Sequence, residues 1–304
     1  MSGNENGLFD LVLILPHAAL FFIGLPFMIL LIADVVTQGG VGLPESGVWP
    51  RVAWAAALGG YQFVIACVAV HMAVVLGAGL AAGRALKALG IEQEDPKGAA
   101  MLAVVTAVHW VIVCGSLMWY VRRRGGTLRA IGLTGARWGR AAAGGLRMFL
   151  AAMPAVLFLM IVFYMVYAYT REEPPALHPV LRALQEAREP WAEAVLLAGS
   201  VLVLPFFEEL FWRGIVQTSL IRSGSPALAI VLSAVLFAAS HPWEKGGWTA
   251  IPALGVLGLG LGLVFYRTGS LAAPVAMHAV FNLYNVLMQM GEPTLKGWLK
   301  GLFG

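Results

Sequence analysis

The sequence predicts an all-α integral membrane protein: one bundle of about eight transmembrane helices around an intramembrane polar cavity. Of its 304 residues, 60% are hydrophobic and only 12% are charged, and the mean hydropathy is +0.81. A soluble protein carries about 25% charged residues, so too little polar surface remains here to cover a water-soluble globule. The apolar runs extend along the whole chain, and no repeat or long polar linker divides it.

Eight apolar runs predict membrane spans, each of which needs about 20 such residues. They cover residues 8–36, 54–82, 99–121, 146–169, 191–220, 226–240, 249–266 and 271–290. Residues 1–145 therefore hold spans one to three and a basic loop, and residues 146–304 hold spans four to eight, within a single membrane domain. Between the fourth and fifth spans, apolar residues at helical spacing predict a short interfacial helix: Val180, Leu181 and Leu184.

The ends and loops of the spans indicate an orientation. No Lys or Arg precedes the first apolar run, so we expect a retained helix rather than a cleaved signal peptide. The largest basic cluster follows the third span, and the positive-inside rule makes that side cytoplasmic, with both termini opposite. The cluster has few aromatic residues for stacking on bases, which disfavours a nucleic-acid site. Its arginines are Arg122, Arg123, Arg124, Arg129, Arg137 and Arg140.

Several features of the spans concern helix packing or cofactors. Gly255, Gly258 and Gly262 share one face of the seventh span, a spacing that predicts close helix approach in lipid. Cys67 and Cys114 lie in apolar runs without a CxxC, which disfavours a disulfide framework or a cysteine-based zinc site. Each of the first three spans carries one histidine, and these could hold haem or a metal or pair between helices. They are His17, His71 and His109.

The fifth span contains three ionisable residues within "PFFEELFWRG". An ionisable side chain at mid-membrane costs about 2.5–3.5 kcal/mol, so such residues pair or have a function. Glu209 and Arg213 are four apart and can pair, which leaves Glu208 about 100° away around the helix as a surplus carboxylate. Two adjacent carboxylates in low dielectric resist joint ionisation, which poises one of them as a proton acceptor. A structural ion pair would need only one Glu. Pro205 interrupts the span just upstream.

Two further spans carry polar residues. In the sixth, Ser233, Phe237 and His241 follow one face, and in the eighth, His278 and Asn282 are four apart. Together with the glutamates they form a hydrolytic set. A carboxylate can take a proton from water, and an imidazole can orient that water or protonate a leaving amine. A second imidazole and an amide can donate to a developing oxyanion.

Other hydrolytic chemistries lack their residues. Asp10, Asp34 and Asp95 are the three aspartates, so a transmembrane aspartyl dyad in the C-terminal two-thirds is excluded. HExxH, the helical zinc-protease motif, and GxSxG, the serine elbow, are both absent.

Three short motifs carry a resemblance to a known family. "EELFWRG" is similar to the EExxxR motif of the CAAX-processing and bacteriocin-processing (CPBP) glutamate intramembrane proteases, also called the CAAX prenyl endopeptidase-like family. "FAASH" resembles their FxxxH motif and "HAVFN" their HxxxN motif, in the same order, over residues 205–282. The resemblance implies an eight-helix fold with a water-filled cavity. Glu209 and Arg213 would maintain the electrostatics of that cavity.

The resemblance also implies roles and an activity. Glu208 would be the water-activating base, assisted by His241, and His278 with Asn282 would form the oxyanion hole. We expect a metal-independent intramembrane endopeptidase without a cofactor, cutting near the C-terminus of a membrane-associated or lipidated protein or peptide. The Ala-, Gly- and Leu-rich composition with more Arg than Lys suggests a bacterial inner membrane, where a prenylated substrate is not expected.

Two alternatives remain open from the sequence. Glu208, His241 and His278 could supply a His₂Glu zinc site with one open position. The chain could also be a non-catalytic immunity-type protein or a proton-coupled transporter, because intramembrane Glu and His mark proton relays as well. A transporter of the common kind shows two related halves, and the first four spans carry no second copy of the Glu–His pattern.

Overall fold

The computed structural model describes residues 17–33, 60–88, 90, 96–123, 127–133, 138–171, 179–223, 225–241 and 246–303. Within these ranges the chain is helical and contains no strand. In the described part of the chain, two 3₁₀ turns, Leu128–Ile131 and Gly247–Ala250, accompany nine helices. The helices are α1 His17–Ala33, α2 Gly60–Ala88, α3 Pro96–Arg123, α4 Trp138–Arg171, α5 Pro179–Glu186, α6 Pro190–Ile221, α7 Pro226–Ala239, α8 Ile251–Thr268 and α9 Ala272–Phe303.

The helical membrane fold predicted from composition is confirmed. Among the described residues, four segments are long and apolar enough to cross a bilayer: α3, α4, α6 and Gly247–Thr268. Three apolar stretches are shorter, at His17–Ala33, Gln62–Val74 and Pro226–Ala239. The count of eight spans therefore stays a prediction. So does the division after residue 145, which falls inside α4 because that helix begins eight residues before its apolar run.

The predicted interfacial helix corresponds to α5. Its Ala183 and Leu184 are buried, and they pack in a small apolar cluster with residues of α3, α6 and α9: Ala100, Ala192, Leu196 and Val286. An eight-residue helix is too short to be stable alone, so this packing is what holds it against the bundle.

The segment after α3 is folded against α6. Thr127 caps the 3₁₀ turn by accepting a hydrogen bond from the Ala130 N–H at 3.3 Å. Ile131 is fully buried, and its carbonyl lies 3.0 Å from where a Cβ on Gly214 would be. A side chain at Gly214 would therefore push this segment off α6. Of the basic cluster, Arg124 and Arg137 lie outside the described residues, and the exposed members are Arg122, Arg123, Arg129 and Arg140.

Helix α6 is continuous through Pro205 but contains two π-helical stretches, Gly199–Val203 and Leu210–Gln217. Each has the wider i→i+5 pattern, seen in the Leu204 N–H bond to the Gly199 carbonyl. The first stretch ends two residues before Pro205, which lacks the N–H that an α-helix would use. The predicted interruption is thus a change of helix type. Such π-bulges are frequent at functional sites, and the two glutamates lie between them.

Two of the three aligned glycines in α8 sit at close helix contacts. A Cβ on Gly258 would lie 3.1 Å from the Cα of Ala234, and one on Gly262 would lie 2.8 Å from Gln217 Oε1. A Cβ on Gly255 would meet nothing within 4 Å. The predicted close approach therefore occurs at Gly258 and Gly262, where α8 meets α7 and α6, and not at Gly255.

Alanine at Gly262 is expected to destabilise the protein, because the new methyl group overpacks the contact with Gln217; such changes cost about 1–3 kcal/mol. Thermal unfolding can be followed with a thiol-reactive dye, since Cys67 and Cys114 are both buried and free. Gly255→Ala is the matched control. It places the same methyl in open space and removes a helix-weakening glycine, so its unfolding midpoint should equal or exceed the original. Equal midpoints for both variants would contradict the packing assigned to Gly262.

Candidate active site

The three sequence motifs lie on α6, on the C-terminal end of α7 and on α9. The shortest of these, α7, has 14 residues and extends for about 21 Å, less than the ~30 Å hydrocarbon core. Its C-terminal end therefore need not reach the membrane surface, and His241 follows directly after it. Pro242, expected to end the helix, lies outside the described residues.

Glu209 and Arg213 form the predicted pair, and both side chains are completely buried. Arg213 Nε lies 3.1 Å from Glu209 Oε2, and Nη1 donates to Glu209 Oε1 at 3.2 Å. The guanidinium also donates through Nη2 to the Gly258 carbonyl at 3.3 Å and covers the Phe237 ring at 4.6 Å. A buried ion pair is tolerated only when its remaining groups find partners, and here both neighbouring helices supply them.

His278 lies between the two glutamates. Its Nδ1 is 2.9 Å from Glu209 Oε1, and its Nε2 is 3.8 Å from Glu208 Oε2. Because an ionised carboxylate only accepts hydrogen bonds, this contact places a hydrogen on Nδ1 and turns Nε2 towards Glu208. The His278 side chain is 4% exposed, whereas that of Glu208 is 22% exposed. Glu208 is thus the accessible carboxylate of the cluster.

The balance of charges also distinguishes Glu208 from Glu209. Glu209 and Arg213 neutralise each other, so an ionised Glu208 leaves the trio with one negative charge. One additional proton, on His278 or on Glu208, makes the four-residue cluster neutral.

The Phe237 ring lies among the other site residues, a position that the apolar pattern did not reveal. His241 Nδ1 is 2.8 Å from the Phe237 carbonyl, and the two rings meet edge to face at 4.7 Å. The His278 ring also meets Phe237 edge to face, at 5.7 Å. A carbonyl can only accept, so His241 Nδ1 carries a hydrogen, and Nε2 of the neutral ring is an acceptor. The same-face spacing of Phe237 and His241 was the available signal.

Asn282 is held by the first π-helical stretch of α6. Its Nδ2 donates to the Ser200 carbonyl at 2.7 Å, and Ser200 Oγ donates to the Leu196 carbonyl at 2.7 Å. An amide has two N–H groups, so this bond uses one and fixes the direction of the other. Ser200 was not identified from the sequence, because it contacts Asn282 through its backbone carbonyl, which every residue has. In the described part of the chain, Asn282 forms this hydrogen bond with Ser200 and none with His278 or with either glutamate.

The three N-terminal histidines do not form one cluster: two of them pair, and the third lies elsewhere. His71 and His109 are buried and share a hydrogen bond of 3.3 Å between Nδ1 and Nε2, as expected for interhelical packing. His17 instead meets the Tyr284 ring edge to face at 5.7 Å. Across the described ranges, no group of three or more His, Cys, Asp or Glu is placed to hold a metal ion. The zinc alternative stays a prediction.

Comparison with protein families bears on the C-terminal part of the chain. Residues 190–284 match the family described as type II CAAX prenyl endopeptidase Rce1-like. This segment is similar to that family. The match covers about a third of the chain and contains all three motifs, so the resemblance predicted from them is confirmed. No curated protein and no solved structure matches the chain. The four candidate spans among the described residues support an integral membrane protein, and the family that residues 190–284 resemble is one of endopeptidases.

Proposed function

We propose that the chain is an intramembrane endopeptidase in which Glu208 activates a water molecule for attack on a peptide bond. One observation carries the proposal: Glu208 is the partly exposed carboxylate, 3.8 Å from His278 Nε2, while Glu209 is completely buried and committed to Arg213. A structural ion pair would not require the second carboxylate. A general base needs access to water, and of the two glutamates only Glu208 has an accessible side chain.

We propose the following reaction from these residues. Glu208 takes a proton from the water as its oxygen attacks the scissile carbonyl carbon, and His241, through Nε2, orients that water. The oxyanion accepts hydrogen bonds from the second Asn282 N–H and from Nε2–H of a doubly protonated His278, whose Nδ1–H is held by Glu209. The C–N bond then breaks, and the proton on Glu208 passes to the leaving amine. Water and peptide yield a carboxylic acid and an amine, with no net change in the enzyme.

The substrate we propose is a protein or peptide with a membrane-associated C-terminal tail. The site residues lie on apolar helices, so a substrate segment held at the bilayer reaches them without crossing bulk water. The Rce1-like description names a prenyl group on the substrates of that family. Our proposal for this chain requires only membrane association, because the Ala-, Gly- and Leu-rich composition with more Arg than Lys suggests a bacterial source, in which a prenylated substrate is not expected. The proposed location is the bacterial inner membrane.

We also propose that the reaction uses no metal. The support is the donor geometry: in the described part of the chain the candidate zinc ligands are not grouped as a metal site. Metal analysis of the purified protein, with a chelator titration of its activity, checks this. One tightly bound zinc per chain, with activity that follows zinc occupancy, would support the zinc alternative instead.

The function is tested by comparing the C-termini of all membrane proteins in cells that produce the wild-type protein or Glu208→Gln. We expect a set of new C-termini in the wild-type membranes that is absent with Glu208→Gln. Glu193→Gln is the matched control, since Glu193 is a half-buried residue of the same helix and the chemical change is identical. Identical sets of C-termini with and without Glu208 would contradict the proposed protease activity, and Glu208-dependent proton flux in liposomes would then support a transporter.

A further inference from the structure

Two side chains of α6 hydrogen-bond to the backbone of α8 and form a polar ladder. Arg213 Nη2 donates to the Gly258 carbonyl at 3.3 Å, and Gln217 Nε2 donates to the Gly262 carbonyl at 2.9 Å. Donors and acceptors are each four residues apart, so each rung lies about one turn from the next. Arg213 and Gln217 are completely buried. The ladder is therefore a buried polar connection between these two helices.

The second rung is the tighter one. A Cβ on Gly262 would lie 2.8 Å from Gln217 Oε1 and 3.1 Å from Ile230 of α7. The amide thus lies directly against the α8 backbone, in space that only a glycine leaves open. Gln217 also closes the second π-helical stretch of α6. Its position along α8 is consequently fixed by shape as well as by the hydrogen bond.

We infer that Gln217 is a positioning residue for the reaction: its bond to Gly262 sets the register of α6 on α8 that holds Arg213 against Glu209. This inference rests on the proposed function. Glu209 Oε1 is shared by Arg213 Nη1 at 3.2 Å and by His278 Nδ1 at 2.9 Å. A movement of Arg213 therefore moves the oxygen that orients His278.

The bond from Arg213 to Gly258 is longer than the bond from Gln217 to Gly262, so a small movement of α6 breaks the first rung before the second. At 3.3 Å the bond from Arg213 to Gly258 is near the upper limit for a hydrogen bond. A slide of α6 by a fraction of the 1.5 Å rise per residue breaks it. Loss of the Gln217 rung releases that slide, and misplacement of a catalytic group by about 1 Å can lower a rate by about a hundredfold. Gln217 thus acts on the site through Arg213, Glu209 and His278.

The test is Gln217→Met, which keeps the length of the side chain and removes the donor. In the purified full chain with ¹⁵N-labelled histidine, the ring nitrogen signals of His278, assigned with His278→Gln, should shift. The rate at which Glu208-dependent C-termini accumulate in membranes should fall by roughly ten- to a hundredfold. Ser219→Ala is the control: it removes a buried hydroxyl of the same helix that donates to the Ile215 carbonyl, and it should leave the His278 signals and the rate unchanged.

A folded Gln217→Met protein with wild-type His278 signals and a wild-type rate would overturn the inference and leave Gln217 a packing residue. If Gln217→Met does not fold, Gln217→Asn, whose amide is one methylene too short for Gly262, answers the same question. The two proposals fail separately. Retention of all new C-termini by Glu208→Gln contradicts the protease function, whereas unshifted His278 signals in Gln217→Met contradict only the positioning role.

Discussion

Replacement of Glu208 by Gln is expected to lower the rate of peptide cleavage by about 10²–10⁴-fold, the usual contribution of a general base. The amide has nearly the same shape but cannot take a proton from water. Because Glu208 is partly exposed and Arg213 is already paired with Glu209, the folded state should lose little. Purified protein in nanodiscs, assayed on a peptide that carries a mapped cleavage site, provides the rate, and the thiol-dye midpoint reports the fold.

The control for this prediction is Glu193→Gln, which should retain the wild-type rate. A Glu208→Gln protein that cleaves at the wild-type rate would show that Glu208 is not the base. A protein that has lost both activity and its folded thiol-dye profile would instead assign Glu208 a structural role.

Replacement of Arg213 by Met should have the largest effect on stability. The change leaves Glu209 completely buried without its cation, and breaking a buried pair from one side costs about 3–5 kcal/mol. It also removes the bond to the Gly258 carbonyl and the contact with the Phe237 ring. We expect a large fall in the unfolding midpoint, measured by the reaction of the buried Cys67 and Cys114 with a thiol-reactive dye.

The double variant Glu209→Gln/Arg213→Met separates charge from packing. Removal of both charges leaves no uncompensated ion, and such replacements are often close to neutral, so most of the lost stability should return. A double variant as unstable as Arg213→Met alone would show that packing around the guanidinium, rather than the buried charge of Glu209, determines the loss.

The sequence predicted which charged residues of the site are paired, because that pairing depends on their spacing along one helix. Residues four apart on a helix meet in most helical geometries, so Glu209 and Arg213 could be paired, and Glu208 identified as surplus, without knowledge of the fold. The helices also lie near the predicted apolar runs. Their ends differ in α4 and α9, because a helix continues past the hydrocarbon region while the apolar pattern marks only the part inside it.

The features that the sequence did not predict depend on contacts between helices or on backbone carbonyls. The role of Gln217 follows from which glycines of α8 face it, and the 45-residue separation of its partner is invisible to periodicity. Phe237 has the pattern of an ordinary core residue until its ring is seen beside Arg213 and two histidines. No amino-acid pattern distinguishes a π-helical stretch from an α-helix, so the sequence did not predict either stretch. Pro205 predicted only that the helix would be interrupted.

The central claim, that Glu208 activates water and does not itself attack the peptide, is tested most directly by a single turnover in ¹⁸O-labelled water. Enzyme in excess over a peptide with a mapped cleavage site is quenched after one turnover and analysed by mass spectrometry. We predict one ¹⁸O atom in the new C-terminal carboxylate and none in the enzyme peptide that contains Glu208. Label in Glu208, or an acyl adduct on its carboxylate, would contradict the account.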